Sequence, residues 1–232
     1  MSQKIARGVR RRFDALVLAN VRNGSRAVKG FGPNNGHWPL RPRADVAIVC
    51  EGWKPDGGAL TCHSMALTSS ITSYDPNWPL RYVEAVAQLA PLFGAQLLAM
   101  HHVGSTAVPE LAAKPEIDIL AVVTISETPA SWAERFNALG YRRGGDLSPG
   151  HRFFKRDVDE VRTHKVHICT VGHQSIEGML RFRDHLRSDP EERARYDSLK
   201  RQLERANTAG ISEYLAGKRP FIEEVLKRIE SN

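Results

Sequence analysis

Two apolar runs, QLLAMHHV (96–103) and EIDILAVV (116–123), flank a stretch that opens with Gly104-Ser105 and closes at Pro115. Apolar runs of this length, bounded by glycine and proline, read as strands, the second one buried. Alternation along the second strand puts Glu116 and Asp118 on one face and Ile117 and Ile119 on the other. The pair of runs therefore delivers a sharp turn at the end of one strand and two carboxylates at the start of the next. PELAAK (109–114), between them, reads as a short helical turn.

The surrounding pattern supplies helices. Tyr82, Val83, Val86, Leu89, Ala90 and Phe93 recur at helical spacing over roughly 79–92, with Asn77 as a candidate cap and Gly94 as the stop. Thr128-Pro129 and a Ser131…Glu134 capping box open a second helix that ends at Gly140. YRRGGDLSPGH is turn-rich, and HRFFKRDVDEVRTHKVHICTV reads as two strands around a polar DVDE turn. Residues 173–187 form an amphipathic helix. Asp189-Pro190-Glu191-Glu192 starts another that runs to about 206, and a last segment covers 211–230, where Gly217 and Pro220 should break or kink it. Alternating strands and helices followed by a hairpin imply an α/β (α+β) domain with a mixed sheet. Its core is expected at 70–172, with a helical C-terminal part at 173–232.

Residues 1–64 read differently. They hold 11 Lys and Arg against 4 acids, so the whole formal charge of +7 lies there and the remainder is neutral. No period of two or 3.6 is sustained, although ADVAIVCEGW (44–53) could make a strand. Residues 1–69 are therefore expected to be a basic extension, either disordered or the product of a start codon placed ahead of Met65. Nucleic acid would be a partner only through that segment. The start MSQKIARGVRRRFDALVLAN loosely resembles a twin-arginine export signal, but Asp14 and Asn20 interrupt it. No run approaches the roughly 18 apolar residues of a membrane span. Cys50, Cys62 and Cys169 make no C-x-x-C, which argues against a disulfide framework or a zinc site. Cys169 reads as a small core residue, and a reducing, cytoplasmic setting fits.

A Gly-Ser turn after a strand brings backbone N–H groups and a hydroxyl close to an anion. A carboxylate on the neighbouring strand can hold Mg²⁺ against the same phosphates. Gly104, Ser105 and Thr106 are the candidates for phosphate, and Asp118 with Glu116 for the metal. The plainer reading is that Ser105 or Thr106 caps the 109–114 turn and the acids are exposed.

HVGSTAVPELAAKPEIDI resembles the signature of the GrpB-like family, E-H-[IV]-G-S-T-[AS]-V-P-G-L-x-A-K-P-x-I-D-I. SYDPNWPLRY is similar to that family's opening, RTHKVHICT to its R-T-H-H-[LV]-H strand, and LRFRDHLRSDPEERARYDSLK to its F-R-D-Y-L-R segment. The resemblance covers about residues 70–232. It implies a nucleotidyltransferase-like fold, with a mixed sheet flanked by helices and a helical C-terminal extension. It also implies a hint of nucleotide or coenzyme metabolism, because some relatives are fused to dephospho-CoA kinase domains. The expected ligand is a nucleotide or another phosphorylated small molecule with Mg²⁺, and the expected reaction is nucleotidyl transfer to a small acceptor. The alternative is a non-catalytic ligand- or protein-binding module on a degenerate nucleotidyltransferase fold. That alternative gains from the lack of a clear third acid, since Asp157 and Asp159 qualify only if their turn brings them round.

Further expectations follow residue by residue. His164 and His167 should face opposite sides of their strand, with Lys165 on the side of His167. Asp118 and His167 are the catalytic candidates, and Lys114 and Arg162 would neutralise phosphate. His101 replaces the family's Glu, while His102 matches. Arg183 and Asp184 read as an internal ion pair, and Tyr196 and Lys200 as packing. Tyr214, Lys218 and Phe221 keep the family's spacing, but Gly217 and Pro220 put Lys218 in doubt.

Overall fold

The computed structural model describes residues 67, 69–125 and 130–231. The candidate strand at 44–53 and the Thr128-Pro129 opening lie outside them. Within the described residues the chain is mixed α/β. One sheet runs in the order β1 (Leu97–Val103), β2 (Ile117–Val123), β5 (Val161–Thr170), β4 (His151–Val158), β3 (Tyr141–Arg143). β2 and β5 pair in parallel, and every other pair is antiparallel. The β4–β5 hairpin closes on Asp159 and Glu160, both at positive φ, as a two-residue turn with the sheet's own twist requires.

Helices cover both faces, which is why IDILAVV is apolar on both sides of the chain. On one face lie α1 (Trp78–Phe93) and α2 (Ala130–Ala138). There Phe93 meets Trp132 and Phe136 edge-on, and Phe136 stacks on Phe154 at 4.2 Å between ring centres. Phe136 and Phe154 are fully buried, each stabilising the fold by about 1.5–3 kcal/mol. On the other face α3 (Gln174–Ser188) lays Ile176, Met179 and Leu180 over Val103, Leu120, Val122 and Cys169. Outside it, α4 (Pro190–Ala206) and α5 (Ile211–Glu230) enclose a second cluster around Leu111, Leu186, Tyr196 and Phe221.

Several local expectations are corrected. The helical turn lies at Ser105–Ala107, not at 109–114. Glu110 takes a positive φ of 65°, and Ala113 instead bridges to Thr72 through backbone bonds of 2.9 and 3.0 Å. Asn77 donates to Asp75 and makes no side-chain cap for α1. Ser131 sits inside α2 and cannot open a capping box. The turn-rich 141–151 stretch contains β3, a three-residue edge strand too short to show a period. α5 is continuous through Gly217 and Pro220. Ala216, whose carbonyl Pro220 leaves without a helical donor, is exposed, so water can satisfy it. Gly217 is there for space: a Cβ would meet Leu203 Cδ2 of α4 at 2.5 Å.

Candidate functional site

β1 ends at Gly104, whose φ of 72° and ψ of −174° suit only glycine. A Cβ at this position would lie 2.2 Å from Oδ2 of Asp118. The backbone therefore passes directly against the carboxylate, an approach any side chain would block. The turn is clamped from the helical side. Arg183 donates to the His102 carbonyl at 2.9 Å, and Arg187 donates twice to the Ala107 carbonyl at 2.9 and 2.7 Å. Arg183 also pairs with Asp184 at 2.8 Å. These groups are structural braces.

Thr106 is placed differently from the sequence expectation. It is 1 % exposed, and its hydroxyl donates to the Glu116 carbonyl at 3.0 Å. With its one proton committed, the hydroxyl accepts from His102 Nε2 at 3.1 Å. His102 stacks on Tyr82, and burial, with Arg187 and Arg183 nearby, depresses it to about 3. Thr106 thus braces the turn and is not presented to a phosphate.

Asp118 has Val103 of β1 on one side and Lys165 of β5 on the other. Burial raises its carboxyl to about 6, with Glu116 adding to the effect and Lys165, Lys218 and Arg162 opposing it. Glu116 is 6 % exposed and pairs with Lys165 Nζ at 2.5 Å. Burial pushes the Glu116 carboxyl up, but Lys165, Lys114 and Arg162 more than offset this and hold it low. The Lys165 ammonium would be lowered by burial, yet Asp118 and Glu116 hold it above the ordinary lysine value.

Two more lysines close the cluster. Lys114 and Lys218 lie over the Tyr214 ring, 4.7 and 4.4 Å from its centre. Both are depressed, mainly by burial, and Lys218 falls to about 8 with Lys165 as its next cause. Among the described residues, the buried Nζ of Lys114 has no hydrogen-bond partner. Tyr196 adjoins both the turn and the carboxylate. It bonds to the Ser105 side chain, and its phenol is raised by burial and by Asp118.

Arg162 acts on Asp118 and Glu116 while donating through Nε to Asp157 Oδ1. Arg142 holds the other Asp157 oxygen at 2.8 Å. Asp157 is therefore committed to two guanidinium groups, and Asp159 is exposed in the hairpin turn. Neither completes a carboxylate triad with Asp118. Lys200 also stands apart, because its buried Nζ donates to the Ala112 carbonyl.

His167 shares the face of Asp118 but sits beside Leu120. Its Nδ1 lies 2.9 Å from Nε2 of His151, and its ring packs on Phe153. The structure gives it an imidazole partner and not the Asp118 carboxylate. His101 lies on the Asp118 face, whereas His164 packs against Tyr141 on the other. The residues that sequence reasoning underweighted are Lys218, Tyr214 and Tyr196. The signal was present: Tyr214 and Lys218 are four apart on one helix and must share a face.

The arrangement is a part-buried cationic recess around two carboxylates, beside the glycine turn. Lys114, Lys165, Lys218 and Arg162 stand against Glu116 and Asp118. Such a recess can take an anion with several oxygens, or a cation and an anion together.

Comparison with known proteins places the chain in a family. The chain is 36% identical over 163 residues to the UPF0157 protein YqkA of Bacillus subtilis, a match covering 70% of this chain and 46% of that protein. It thus spans about half the length of that relative. A UPF0157 protein of Halalkalibacterium halodurans is 34% identical over 174 residues, covering 74% of this chain and 86% of its own. The crystal structure of conserved protein GrpB from Enterococcus faecalis superposes with a TM-score of 0.64 at 34% identity, over 68% of this chain and 96% of that one. The family described as GrpB protein matches residues 68–228, which include every residue of the recess, and the chain belongs to that family.

Proposed function

We propose that the recess binds a nucleotide or another phosphorylated small molecule. The observation that carries this reading is the gathering of Lys114, Lys165 and Lys218 around Glu116 and Asp118, with the Lys114 ammonium buried and lacking a hydrogen-bond partner among the described residues. An unpaired buried ammonium costs stability unless a ligand supplies its acceptor. Phosphate oxygens at the Gly104-Ser105 turn would meet the Ser105 hydroxyl, the three ammonium groups and Arg162. Asp118 fits one Mg²⁺, because it is the carboxylate without a salt bridge of its own. A second ion does not fit, since Glu116 is held by Lys165 and Asp157 by Arg142 and Arg162. Mg²⁺ bound there would offset phosphate charge and polarise the phosphate.

The family resemblance adds nucleotidyl transfer to a small acceptor as the second reading. The engaged state of Glu116 and Asp157 favours binding over two-metal transfer. A base for an acceptor hydroxyl would have to come from Asp118 or from an ionisable lysine, and His167 is turned to His151.

A thermal-shift panel on the full chain tests this. Nucleoside triphosphates and coenzyme A precursors are compared with and without Mg²⁺ or Mn²⁺, on the native protein and on Asp118→Asn. A ligand at 100 times its Kd should stabilise by about 2.7 kcal/mol. The expected result is a metal-dependent shift that the variant loses. A well-folded protein that responds to no phosphorylated ligand would overturn the reading.

A further inference from the structure

A second cluster lies outside the recess, at the far end of the same sheet face. His151 of β4 and Cys169 of β5 are register partners, and His173 follows four residues after Cys169. The chain turns between them at Gly172, with φ 83°. Each of the three residues offers one donor atom, and these atoms all lie within 4.8 Å of one another. Cys169 is completely buried and His151 is 5 % exposed, while His173 is half-buried at the cap of α3.

The two imidazoles carry outer hydrogen bonds of the kind that metal ligands make. A ligating histidine commonly fixes its second ring nitrogen through an outer hydrogen bond. Here His151 Nε2 is held by His167 Nδ1 at 2.9 Å, and His173 Nε2 by the Ser148 hydroxyl at 3.0 Å. In His151 that leaves Nδ1 to a metal, whereas both ring nitrogens of His173 are engaged. The His173 Nδ1 accepts from Ser175 N–H at 3.1 Å, and a metal would take over that lone pair. His167 thereby acquires a role: it holds His151 in one tautomer.

We propose that His151, Cys169 and His173 form a three-ligand site for zinc or a similar thiolate-accepting divalent cation, with its fourth position open to solvent beside His173. The donor set is soft and suits tetrahedral zinc over magnesium. Burial holds the free thiol up at about 12, so binding must drive its proton into solvent. The absence of any C-x-x-C hides this site from sequence, because the ligands come from two strands and a helix cap. Cys169 also packs as a core residue with Leu120 and Val122.

The test uses the full chain, stripped with chelator, kept reduced and titrated with Co²⁺. The expected result is one equivalent bound, with a thiolate-to-cobalt charge-transfer band that Zn²⁺ erases. Cys169→Ala and His173→Gln should each abolish the band in protein whose circular dichroism is native, while Asp118→Asn should keep it. His173 is half-buried where Cys169 is fully buried, so its variant decides the matter even if Cys169→Ala fails to fold. Cys50 and Cys62 are the other thiols in the chain. A band that survives Cys169→Ala would belong to them and overturn the proposal, as would folded native protein that shows no band.

Discussion

Asp118 is a carboxylate whose surroundings disagree about it. Burial works against its charge, and Lys165, Lys218 and Arg162 favour it, with burial the larger effect. The result is a folded-state value of about 6 against an ordinary 3.8. The direction of the consequence follows from proton linkage. A raised carboxyl contributes stability below about 3.8 and loses it as pH rises through about 6. Without ligand, Asp118→Asn should therefore be more stable than the native protein above pH 6, and the difference should vanish near pH 4. Ligand binding has the opposite dependence, because Mg²⁺ needs the ionised form. The Mg²⁺-dependent shift of the native protein should grow between pH 5 and pH 7 and be missing in the variant at every pH. Paired melting curves across that range check both statements, and a variant no more stable than native protein at pH 8 would contradict the first.

The same tension between close approach and space sets the elements. α5 carries Tyr214 and Lys218 to the recess while Gly217 lets it lie close against Leu203 of α4. A single added methyl meets the far end of a leucine that can move, and alanine gains about 1 kcal/mol of helix propensity over glycine. Gly217→Ala should thus be close to neutral. Gly217→Val has no such escape and should cost about 1–3 kcal/mol. It should also weaken the ligand-dependent shift, since Lys218 moves with the helix. Urea midpoints and ligand shifts on the two variants separate these effects. At this scale the sequence was a good guide to what repeats. Strands β1 and β2, the β4–β5 hairpin and helices α1, α3 and α4 announced themselves through period, glycine stops and the Asp189-Pro190 start. What period cannot show is which partner a side chain meets. Thr106 reads as a phosphate ligand beside Gly-Ser until His102 and the Glu116 carbonyl claim its hydroxyl. His167 reads as a base until His151, sixteen residues away in sequence, turns out to be its neighbour. Gly217 and Pro220 read as helix breakers because the pattern contains neither Leu203 nor the exposure of Ala216.

Across the whole sheet the two faces do different work. The face under α1 and α2 is aromatic, with Phe93, Trp132, Phe136, Tyr141 and Phe154 linked through ring contacts. The face under the C-terminal helices holds charges in excess of their partners, including an ammonium without a hydrogen bond among the described residues. A fold that keeps like charges together at a site gives up stability there and must recover it elsewhere. The two faces should therefore respond oppositely to substitution. Phe136→Ala opens a cavity in the aromatic layer and should cost about 3–5 kcal/mol, with ligand still producing its full shift in the weakened protein. Lys114→Met removes an ammonium that burial already disfavours, so the ligand-free protein should melt at the native temperature or above it. Its shift with phosphorylated ligand should be strongly reduced, because the recess has lost one of its acceptor-seeking groups. Denaturation with and without ligand measures both. If Lys114→Met instead loses stability and keeps its shift, the lysine is a structural member of the fold, and the charges around Asp118 exist to balance one another.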